Sequence, residues 1–343
     1  MILVDTLRLG RTNISASKSG FGALPIQRIG FGEAAALLQK AYDGGINFFD
    51  TARAYTDSEE KIGRALSGVR SHIFIASKSQ AKDKASLFRD VETSLRLLKT
   101  DVIDIYQLHN PAALPDYDDP DGLYQGLVEA RTKGYIRFIG LSNHRLHLAM
   151  QAAKDRRFDT IQFPLSSLSS EEDLKLVDLC RENDIGLIAM KAMSGGLITN
   201  AAGTFAFLRQ FDNVLPIWGI QRERELLEFL ELEKNPPVLD DALRAAIDKD
   251  RRELSGSFCR GCGYCQPCPA KIPIETAARV SFFMARAPKE RFLTDEFKEQ
   301  MERIKNCIHC NHCKNRCPYG LDTPNLLQYM LGEYNKFYAA HTS

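Results

Sequence analysis

The stretch DGLYQGLVEARTKGYIRFIGLSN, residues 121–143, carries the alternation that decides the fold. Its first half spaces apolar residues three and four apart, which predicts an amphipathic helix over 122–133. Its second half holds a short apolar run at 136–141, which predicts a strand, and the polar pair Ser142-Asn143 follows directly. A helix that leads into a strand is the repeating unit of folds built on a parallel sheet.

The same alternation extends outward from this stretch in both directions. Eight apolar runs predict strands, at residues 19–24, 46–49, 73–76, 102–108, 136–141, 160–163, 186–190 and 214–218. Because alternating strands and helices pair in parallel through right-handed crossovers, eight units predict an α/β fold of the closed (β/α)8, or TIM, barrel type. An open doubly wound sheet would need a G-x-G-x-x-G turn after the first strand, which residues 20–32 lack. Two earlier runs, 3–9 and 14–17, predict an N-terminal β-hairpin that caps the barrel's closed end.

Composition narrows the class of protein. The apolar fraction of 44% and the charged fraction of 26% are ordinary for a globular chain, and a net charge of +1 gives no argument for nucleic acid. We find no signal-peptide pattern at the N-terminus and no apolar stretch of the roughly 18 residues that a spanning helix needs. We therefore expect a soluble, cytoplasmic protein that binds neither nucleic acid nor membranes.

The cysteines are concentrated near the C-terminus. Of nine cysteines, only Cys180 lies before residue 259, in a helical pattern where it is expected to be a small buried apolar residue. Disulfide scaffolds are usually small and secreted, so this distribution favours a separate metal-binding module instead. We place the boundary near 255–257, with a barrel domain over 1–254 and a mainly helical module with a C-terminal helix over 255–343.

Two cysteine runs in this module each end in Cys-Pro. Bacterial two-cluster ferredoxins use C-x2-C-x2-C-x3-C-P, in which the fourth thiolate binds the other cluster. The second run matches this spacing and the first is one residue shorter. The cross-over pattern assigns one [4Fe–4S] cluster to Cys259, Cys262, Cys265 and Cys317, and the other to Cys307, Cys310, Cys313 and Cys268. Zinc bound by cysteine pairs, with His309 or His312, is the alternative, as is a single cluster.

Polar residues follow three neighbouring barrel strands, where barrel active sites lie. Asp50 and Tyr55 follow the second run, Lys78 the third and His109 the fourth. A nearby ammonium favours the phenolate form of a tyrosine and so lowers its pKa, while a carboxylate holds the ammonium in place. A histidine alongside can orient a carbonyl oxygen. Together these groups form a proton donor for an alkoxide that develops during hydride transfer.

These residues also carry a family resemblance. The order Asp50-Thr51-Ala52-Arg53-x-Tyr55, Ser58-Glu59-x2-Ile62-Gly63, Ser77-Lys78 and Gln107-Leu108-His109, followed by residues 134–143, resembles the aldo-keto reductases. The resemblance implies that Tyr55 is the proton donor, that Lys78 and Asp50 lower its pKa, and that His109 orients the substrate. It also implies that Ser142, Asn143 and Gln162 hold the nicotinamide carboxamide. With its C-terminal cysteines, the whole chain resembles the aldo-keto reductases fused to a ferredoxin-type 4Fe-4S module.

The predicted cofactor site departs from the family pattern. Ser194, Gly195 and Gly196 follow the seventh run and could offer backbone amides to a pyrophosphate. Where the family commonly has Lys-Ser, this chain has Gly219-Ile220, so Arg222 or Arg224 is the candidate for a 2′-phosphate. The remaining predicted contacts are Gly22, Met190 in place of a stacking aromatic ring, and Glu228, which Phe229 follows in place of asparagine. The choice between NADPH and NADH therefore stays open.

Three functions remain open from the sequence. The first is an NAD(P)H-dependent oxidoreductase that interconverts a small carbonyl compound and an alcohol, with clusters for structure or electron relay. The second is an enzyme fed with electrons by a ferredoxin or flavoprotein partner through the clusters, with little need for nicotinamide. The third is a non-catalytic electron-transfer or binding subunit, against which the intact set of Asp50, Tyr55, Lys78 and His109 weighs.

Overall fold

The computed structural model describes residues 4–254, 258–285 and 288–342. Its internal contacts divide the chain into two compact units. The first comprises Met1–Met193 and Asn200–Asp248, and the second comprises Ser194–Thr199 and Lys249–Ser343. The short segment Ser194–Thr199 thus belongs with the C-terminal unit, although it lies within the barrel part of the sequence. The predicted domain boundary at 255–257 lies outside the described residues.

The N-terminal hairpin closes one end of the barrel. Strands β1 (Thr6–Arg8) and β2 (Ser15–Ser17) pair antiparallel, with Leu7 opposite Ala16. Their apolar side chains join a cluster with residues of the barrel interior, including Phe48 and Ile188. The Arg11 amide donates to the carbonyl of Asp184, just before a barrel strand begins, at 2.7 Å. The predicted cap is confirmed, and it covers the end of the barrel where the strands start.

Eight parallel strands form the closed barrel that the alternation predicts. Each strand pairs with its neighbour in sequence, and the last pairs with the first. The strands are β3 (Gly20–Gly22), β4 (Phe48–Asp50), β5 (Phe74–Ser79), β6 (Ile103–His109), β7 (Ile136–Ser142), β8 (Thr160–Pro164), β9 (Gly186–Met190) and β10 (Val214–Gly219). Several extend one to three residues past the predicted apolar runs, because polar residues such as Asp50 and His109 still pair in the sheet.

Helices accompany the barrel strands, and all but the almost wholly buried Ala201–Leu208 are amphipathic. They are α1 (Phe31–Asp43), α2 (Ser58–Leu66), α3 (Lys84–Leu98), α4 (Leu123–Thr132), α5 (Leu146–Asp155), α6 (Glu171–Glu182), α7 (Ala201–Leu208), α8 (Glu223–Lys234) and α9 (Asp241–Glu253). Helices α3 and α6 start at capping boxes, in which Asp83 pairs with Ser86 and Ser170 with Asp173. Such pairs satisfy amide groups that the first helical turn leaves without partners.

The C-terminal unit is mainly helical, as predicted. Its helices are α10 (Ile274–Ala277), α11 (Val280–Met284), α12 (Asp295–Glu302), α13 (His312–Arg316) and α14 (Thr323–Thr342). A separate apolar core joins them, with Tyr334 of α14 fully buried and its hydroxyl donating to the Phe292 carbonyl at 2.9 Å. Among the described residues, no helix is both long enough and apolar enough to cross a bilayer.

Gly63 lies where α2 packs against the end of α3. A methyl group at its Cβ position would lie 2.1 Å from the carbonyl oxygen of Leu97 and 2.8 Å from Cα of Leu98. These neighbours are backbone atoms of a packed helix, so they cannot yield without moving the whole element. Only glycine fits here.

We expect Gly63→Ala to lower the free energy of unfolding by about 1–3 kcal/mol or more, the usual effect of overpacking. Urea denaturation followed by circular dichroism measures the change. Gly32→Ala is the matched control, because Gly32 also lies in a helix but has no atom within 4 Å of its Cβ position. Equal losses in the two variants would contradict the steric argument.

Candidate active site and cysteine-lined cavities

A buried ion pair lies at the centre of the barrel mouth. Lys78 on β5 and Asp50 at the end of β4 are 0% and 2% exposed. The Lys78 ammonium donates to both carboxylate oxygens of Asp50, at 2.7 and 2.8 Å, and to the carbonyl of Thr51 at 2.8 Å. All three donor positions of the ammonium therefore have an acceptor.

Burial acts on both members of the pair. It raises the pKa of Asp50 and lowers the pKa of Lys78, because the charged form of each group loses its water. Their mutual attraction opposes both changes. Each charge in this position therefore depends on the other.

Tyr55 and His109 complete the set predicted from the sequence. Tyr55 lies in the turn after β4, and its ring centroid is 5.3 Å from Nζ of Lys78. The His109 ring meets the Tyr55 ring edge-on, with centroids 5.9 Å apart and planes at 85°. The structure thus brings all four predicted residues to one place. Burial, and then the charge of Lys78, lower the pKa of His109 to about 3, so its imidazole is neutral near pH 7.

Two glutamines extend this site across the barrel. Gln107 Nε2 donates to Oε1 of Gln162 at 2.7 Å, and Gln162 Nε2 lies 3.4 Å from Oδ2 of Asp50. The Oε1 atom of Gln107 is buried and has no hydrogen-bond partner among the described residues. Gln107 is part of the family-like sequence pattern, which predicts no role for it. Its position two residues before His109 on one strand was the available signal, since such residues share a face.

The three residues predicted to hold the carboxamide occupy neighbouring positions, but their side chains differ in the hydrogen bonds they already make. They are Ser142, Asn143 and Gln162. Ser142 on β7 pairs in register with His109 on β6 and Gln162 on β8. The Ser142 hydroxyl is buried and, within the described residues, has no hydrogen-bond partner. The Asn143 amide is engaged locally: it donates to the Pro111 carbonyl and accepts from the backbone of Arg145, both at 2.9 Å. Ser142 therefore has the greatest capacity left for a ligand.

The predicted phosphate segment has an unusual backbone. Ser194, Gly195 and Gly196 have φ values of +47°, +68° and +89° in succession. Within the C-terminal unit, the carbonyl of Gly195 accepts a hydrogen bond from Nη1 of Arg279 at 2.8 Å. The sequence does not predict this contact, because residues 195 and 279 are far apart in the chain.

The other predicted nucleotide contacts are dispersed. Gly22 pairs in register with Asp50, while Met190 is buried within the interior apolar cluster of the barrel. Gly219, Arg224 and Glu228 are exposed. Arg222 is exposed as well, with Nη1 3.5 Å from the Glu225 carboxylate.

Phe229, which stands in the place of a family asparagine, is part of the core. It is 5% exposed and stacks on Trp218 with ring centroids 4.2 Å apart and planes at 16°. Its side chain is therefore occupied by packing.

The cysteine runs line two cavities in the C-terminal unit. One, of about 370 Å³, is lined by Cys259, Cys262, Cys265 and Cys317. The other, of about 380 Å³, is lined by Cys268, Cys307, Cys310 and Cys313, and Cys265 reaches it too. Each predicted set of four cysteines thus surrounds one cavity, which is the donor set that a [4Fe–4S] cluster takes. In the described part of the chain, no three His, Cys, Asp or Glu side chains converge on a single metal ion.

The two cysteine loops share a backbone pattern. Positive φ values recur at equivalent positions, +59° and +81° at Gly261 and Gly263, and +50° and +57° at His309 and Asn311. In the first loop the Gly261 amide donates to Sγ of Cys259 at 3.4 Å. The shorter first run therefore forms the same type of turn as the second, since the missing residue lies beyond these positions.

The buried ion pair predicts how substitutions of Asp50 and Lys78 change the free energy of unfolding. Asp50→Asn leaves the Lys78 charge buried without a counter-charge, so we expect a loss of about 3–5 kcal/mol. Adding Lys78→Met to that variant removes the remaining charge and should recover much of the loss. Urea denaturation of the single and double variants gives the interaction free energy between Asp50 and Lys78. A loss below about 1 kcal/mol in Asp50→Asn, typical of an exposed pair, would contradict the burial.

The low pKa of His109 predicts a dependence of stability on pH. The unfolded chain takes up a proton near the ordinary value of 6.5, whereas the folded chain does so only near 3. Stability should therefore fall as the pH falls from about 6.5 towards 3. His109→Asn lacks this contribution, so its stability curve should be flatter between pH 7 and 5. Imidazole NMR signals of His109 that titrate near 6.5 would disprove the burial argument.

Comparison with known proteins agrees with this architecture. The sequence model described as "Aldo/keto reductase family" matches residues 18–214, and that described as "4Fe-4S dicluster domain" matches residues 258–322. The oxidoreductase YqkF of Bacillus subtilis, described as uncharacterized, is 30% identical over 208 residues, which cover 56% of this chain and 66% of YqkF. The chain thus spans slightly less than two thirds of the length of that relative.

Solved structures share the barrel. PA4992 from Pseudomonas aeruginosa superposes with a TM-score of 0.60 and 26% identity, over 68% of this chain and 98% of PA4992. An aldo-keto reductase from Klebsiella pneumoniae, solved in complex with NADPH, gives a TM-score of 0.62 and 22% identity over 72% and 95% of the two chains. Because the family model covers more than half of the sequence and a second model covers its C-terminal cysteines, the chain belongs to the aldo/keto reductase family and carries a C-terminal 4Fe-4S domain.

Proposed function

We propose that the protein is an NAD(P)H-dependent oxidoreductase that interconverts a small carbonyl compound and an alcohol, with two [4Fe–4S] clusters in its C-terminal domain. The observation that carries the proposal is the fully buried Lys78–Asp50 pair, with the Tyr55 ring 5.3 Å from the ammonium. We assign residues 1–254 to the barrel domain and residues 255–343 to the cluster domain.

Each of the four residues at the barrel mouth, Asp50, Tyr55, Lys78 and His109, has its own role in the proton transfer. Tyr55 gives the proton to the substrate oxygen, and the positive charge of Lys78 stabilises the phenolate that remains. Asp50 keeps Lys78 charged and fixes its position. His109 is neutral, so it can donate one hydrogen bond to a carbonyl oxygen without bringing a second positive charge into the site.

The chain's residues also fit a nicotinamide cofactor, which supplies the hydride when it is bound. Among the described residues, the buried Ser142 hydroxyl and Oε1 of Gln107 have no hydrogen-bond partner, which suits the donor and acceptor atoms of a carboxamide. The NADPH complex of the Klebsiella pneumoniae relative supports the same type of cofactor. Arg222 and Arg224 are the candidate cations for a 2′-phosphate, and the preference between NADPH and NADH depends on them.

The cysteines fit two clusters in the cross-over arrangement. Cys259, Cys262, Cys265 and Cys317 would hold one cluster and Cys268, Cys307, Cys310 and Cys313 the other, in line with the two cavities. Burial raises the pKa of Cys265 to about 12, so without iron this group is a thiol. Cluster assembly must therefore displace its proton.

The residues at the predicted nucleotide contacts favour a second function, in which electrons arrive through the clusters. Phe229 is stacked in the core, Arg222 lies near Glu225, and Gly219 carries no side chain to grip a phosphate. Weak nicotinamide binding of this kind suits an enzyme that receives single electrons from a ferredoxin or flavoprotein through its clusters. Cys310 and Ile308 of the second run are exposed, as an entry point for electrons would require.

Purification under anaerobic conditions, with iron and sulfide analysis and titration with NADPH and NADH, tests the proposal. We expect about eight iron atoms per chain and reduction of a small aldehyde with oxidation of the nucleotide. Tyr55→Phe should lower kcat by about 10²–10⁴-fold, the usual contribution of a general acid, and leave nucleotide affinity unchanged.

The variant Cys307→Ser distinguishes between the two proposed functions. If the clusters have a structural role, the variant loses iron and keeps NAD(P)H-dependent reduction. If electrons enter through the clusters, the wild type works with a reduced one-electron donor, and Cys307→Ser loses that activity. Full iron content with no nucleotide binding would overturn the nicotinamide-dependent reductase.

A further inference from the structure

We propose that Gln107 is a positioning residue that fixes the orientation of the Gln162 amide beside the buried ion pair and links that pair to the carboxamide of the cofactor. The inference rests on the proposed function, because it takes nicotinamide as the cofactor and Tyr55 as the proton donor. It goes further, since two amide side chains then connect cofactor binding to the charges that assist the proton transfer.

Buried polar side chains form one continuous hydrogen-bonded chain in the barrel interior. Gln107 Nε2 donates to Oε1 of Gln162 at 2.7 Å, and both residues are buried. Gln162 Nε2 lies 3.4 Å from Oδ2 of Asp50, and both oxygens of Asp50 accept from the Lys78 ammonium. Because the first contact is much shorter than the second, the orientation of the Gln162 amide depends mainly on Gln107.

The negative charge of Asp50 sets the direction of this chain. A carboxylate only accepts hydrogen bonds, so the Gln162 amide must turn its NH2 group towards Asp50. Its carbonyl oxygen then faces Gln107, which must present an NH2 group in turn. The atom left at the end of the chain is Oε1 of Gln107, an acceptor that is buried and has no hydrogen-bond partner in the described ranges.

A ligand group that meets this acceptor must bring a hydrogen-bond donor. The carboxamide of nicotinamide has a donor in its NH2 group and an acceptor in its oxygen. Ser142 lies on the strand next to Gln107, and its buried hydroxyl, which has no partner among the residues described, can donate to the carboxamide oxygen. Gln107 and Ser142 together therefore favour one orientation of the carboxamide over the flipped one.

The chain also acts on the charges of the ion pair. Burial raises the pKa of Asp50 and lowers that of Lys78, which favours transfer of the ammonium proton to the carboxylate. The attraction of Lys78 opposes this transfer, and so do hydrogen bonds from Gln162 and Gln107, which stabilise the carboxylate. Donation from a carboxamide to Gln107 polarises its amide and strengthens the next bond of the chain. Gln107 therefore helps to keep Lys78 charged, beside the Tyr55 ring, when the cofactor is bound.

The first test needs no variant. Calorimetry on the anaerobic holoenzyme gives the dissociation constants of the oxidised nucleotide that it prefers and of the 3-acetylpyridine analogue, in which a methyl group replaces the carboxamide NH2. The analogue keeps the oxygen for Ser142 and lacks the donor for Gln107. We expect it to bind at least about fivefold more weakly, because one buried acceptor is left unpaired. Equal affinity would overturn the inference and leave NAD(P)H-dependent reduction untouched.

The variant Gln107→Met and a matched control identify the residue responsible. Gln107→Met should bind the two nucleotides within about twofold of each other and lower kcat/KM for a small aldehyde by about tenfold or more. Thr160→Val is the control, because Thr160 Oγ1 is also buried without a partner among the described residues. It lies 2.5 Å from the Cβ position of Gly140, and Cγ of Gln107 lies 2.8 Å from the same point. The control should keep the wild-type discrimination.

The pH profile separates this positioning role from a merely structural one. The titratable groups around the Lys78 ammonium in the described structure are Asp50, Tyr55 and His109. Tyr55 must be protonated to reduce a carbonyl, and its pKa rises when Lys78 loses its charge. At saturating nucleotide, the alkaline limb of kcat/KM should therefore move up by about one pH unit or more in Gln107→Met and stay in place in Thr160→Val. An unmoved limb in folded Gln107→Met would refute the link to the ion pair.

Circular dichroism shows whether each variant is folded, and Gln107→Glu takes the place of Gln107→Met if that protein is not. A protonated carboxyl group can donate to Gln162 and accept from the carboxamide, whereas a carboxylate repels Asp50. Gln107→Glu should therefore keep its activity at low pH and lose it as the new group ionises, and a wild-type profile would contradict the inference. Failure of the wild type to bind either nucleotide would overturn the nicotinamide-dependent function itself.

Discussion

The buried contact between Lys78 and Asp50 is the constraint on which the barrel site depends. Two opposite charges, 0% and 2% exposed, are held together where the strands β4 and β5 end. Neither charge is tolerable alone at that depth, so the pair fixes the positions of both side chains. Around it, Tyr55 and His109 lie within ring-contact distance, and the low pKa of the histidine follows from the same burial and the same lysine charge.

A second charged network supports this pair from outside the mouth. Glu59 on α2 is 1% exposed and forms an ion pair with Arg53. Its carboxylate also accepts hydrogen bonds from the hydroxyls of Ser77, at 2.6 Å, and Ser94, at 2.7 Å. Since Ser77 precedes Lys78 on β5, these contacts anchor the strand that carries the lysine. The neighbouring motif residue Ser58 is also buried and hydrogen-bonded, to the Thr51 hydroxyl at 2.9 Å and the Ala23 carbonyl at 3.1 Å.

The C-terminal unit is built around cysteine-lined cavities and not around a buried ion pair. Its small apolar core, around Tyr334 and Ile274, leaves two cavities whose walls are cysteines. Arg279 ties the first of these cavities to the Ser194–Thr199 segment, which belongs to this unit although strand β9 ends only four residues earlier.

The sequence by itself determined the barrel, its hairpin cap, the helical C-terminal unit and the convergence of Asp50, Tyr55, Lys78 and His109. It could do so because strand and helix periodicity is a local property, and because all parallel strands of a closed barrel end at one face. The tertiary structure alone decided which side chains are already engaged. Asn143 donates to its neighbour Pro111 and Phe229 stacks on Trp218, whereas the Ser142 hydroxyl has no partner in the part of the chain that the structure describes. It alone also placed the Arg279 guanidinium against both Gly195 and Gly261. Contacts of this kind join residues far apart in the chain, and no local pattern encodes them.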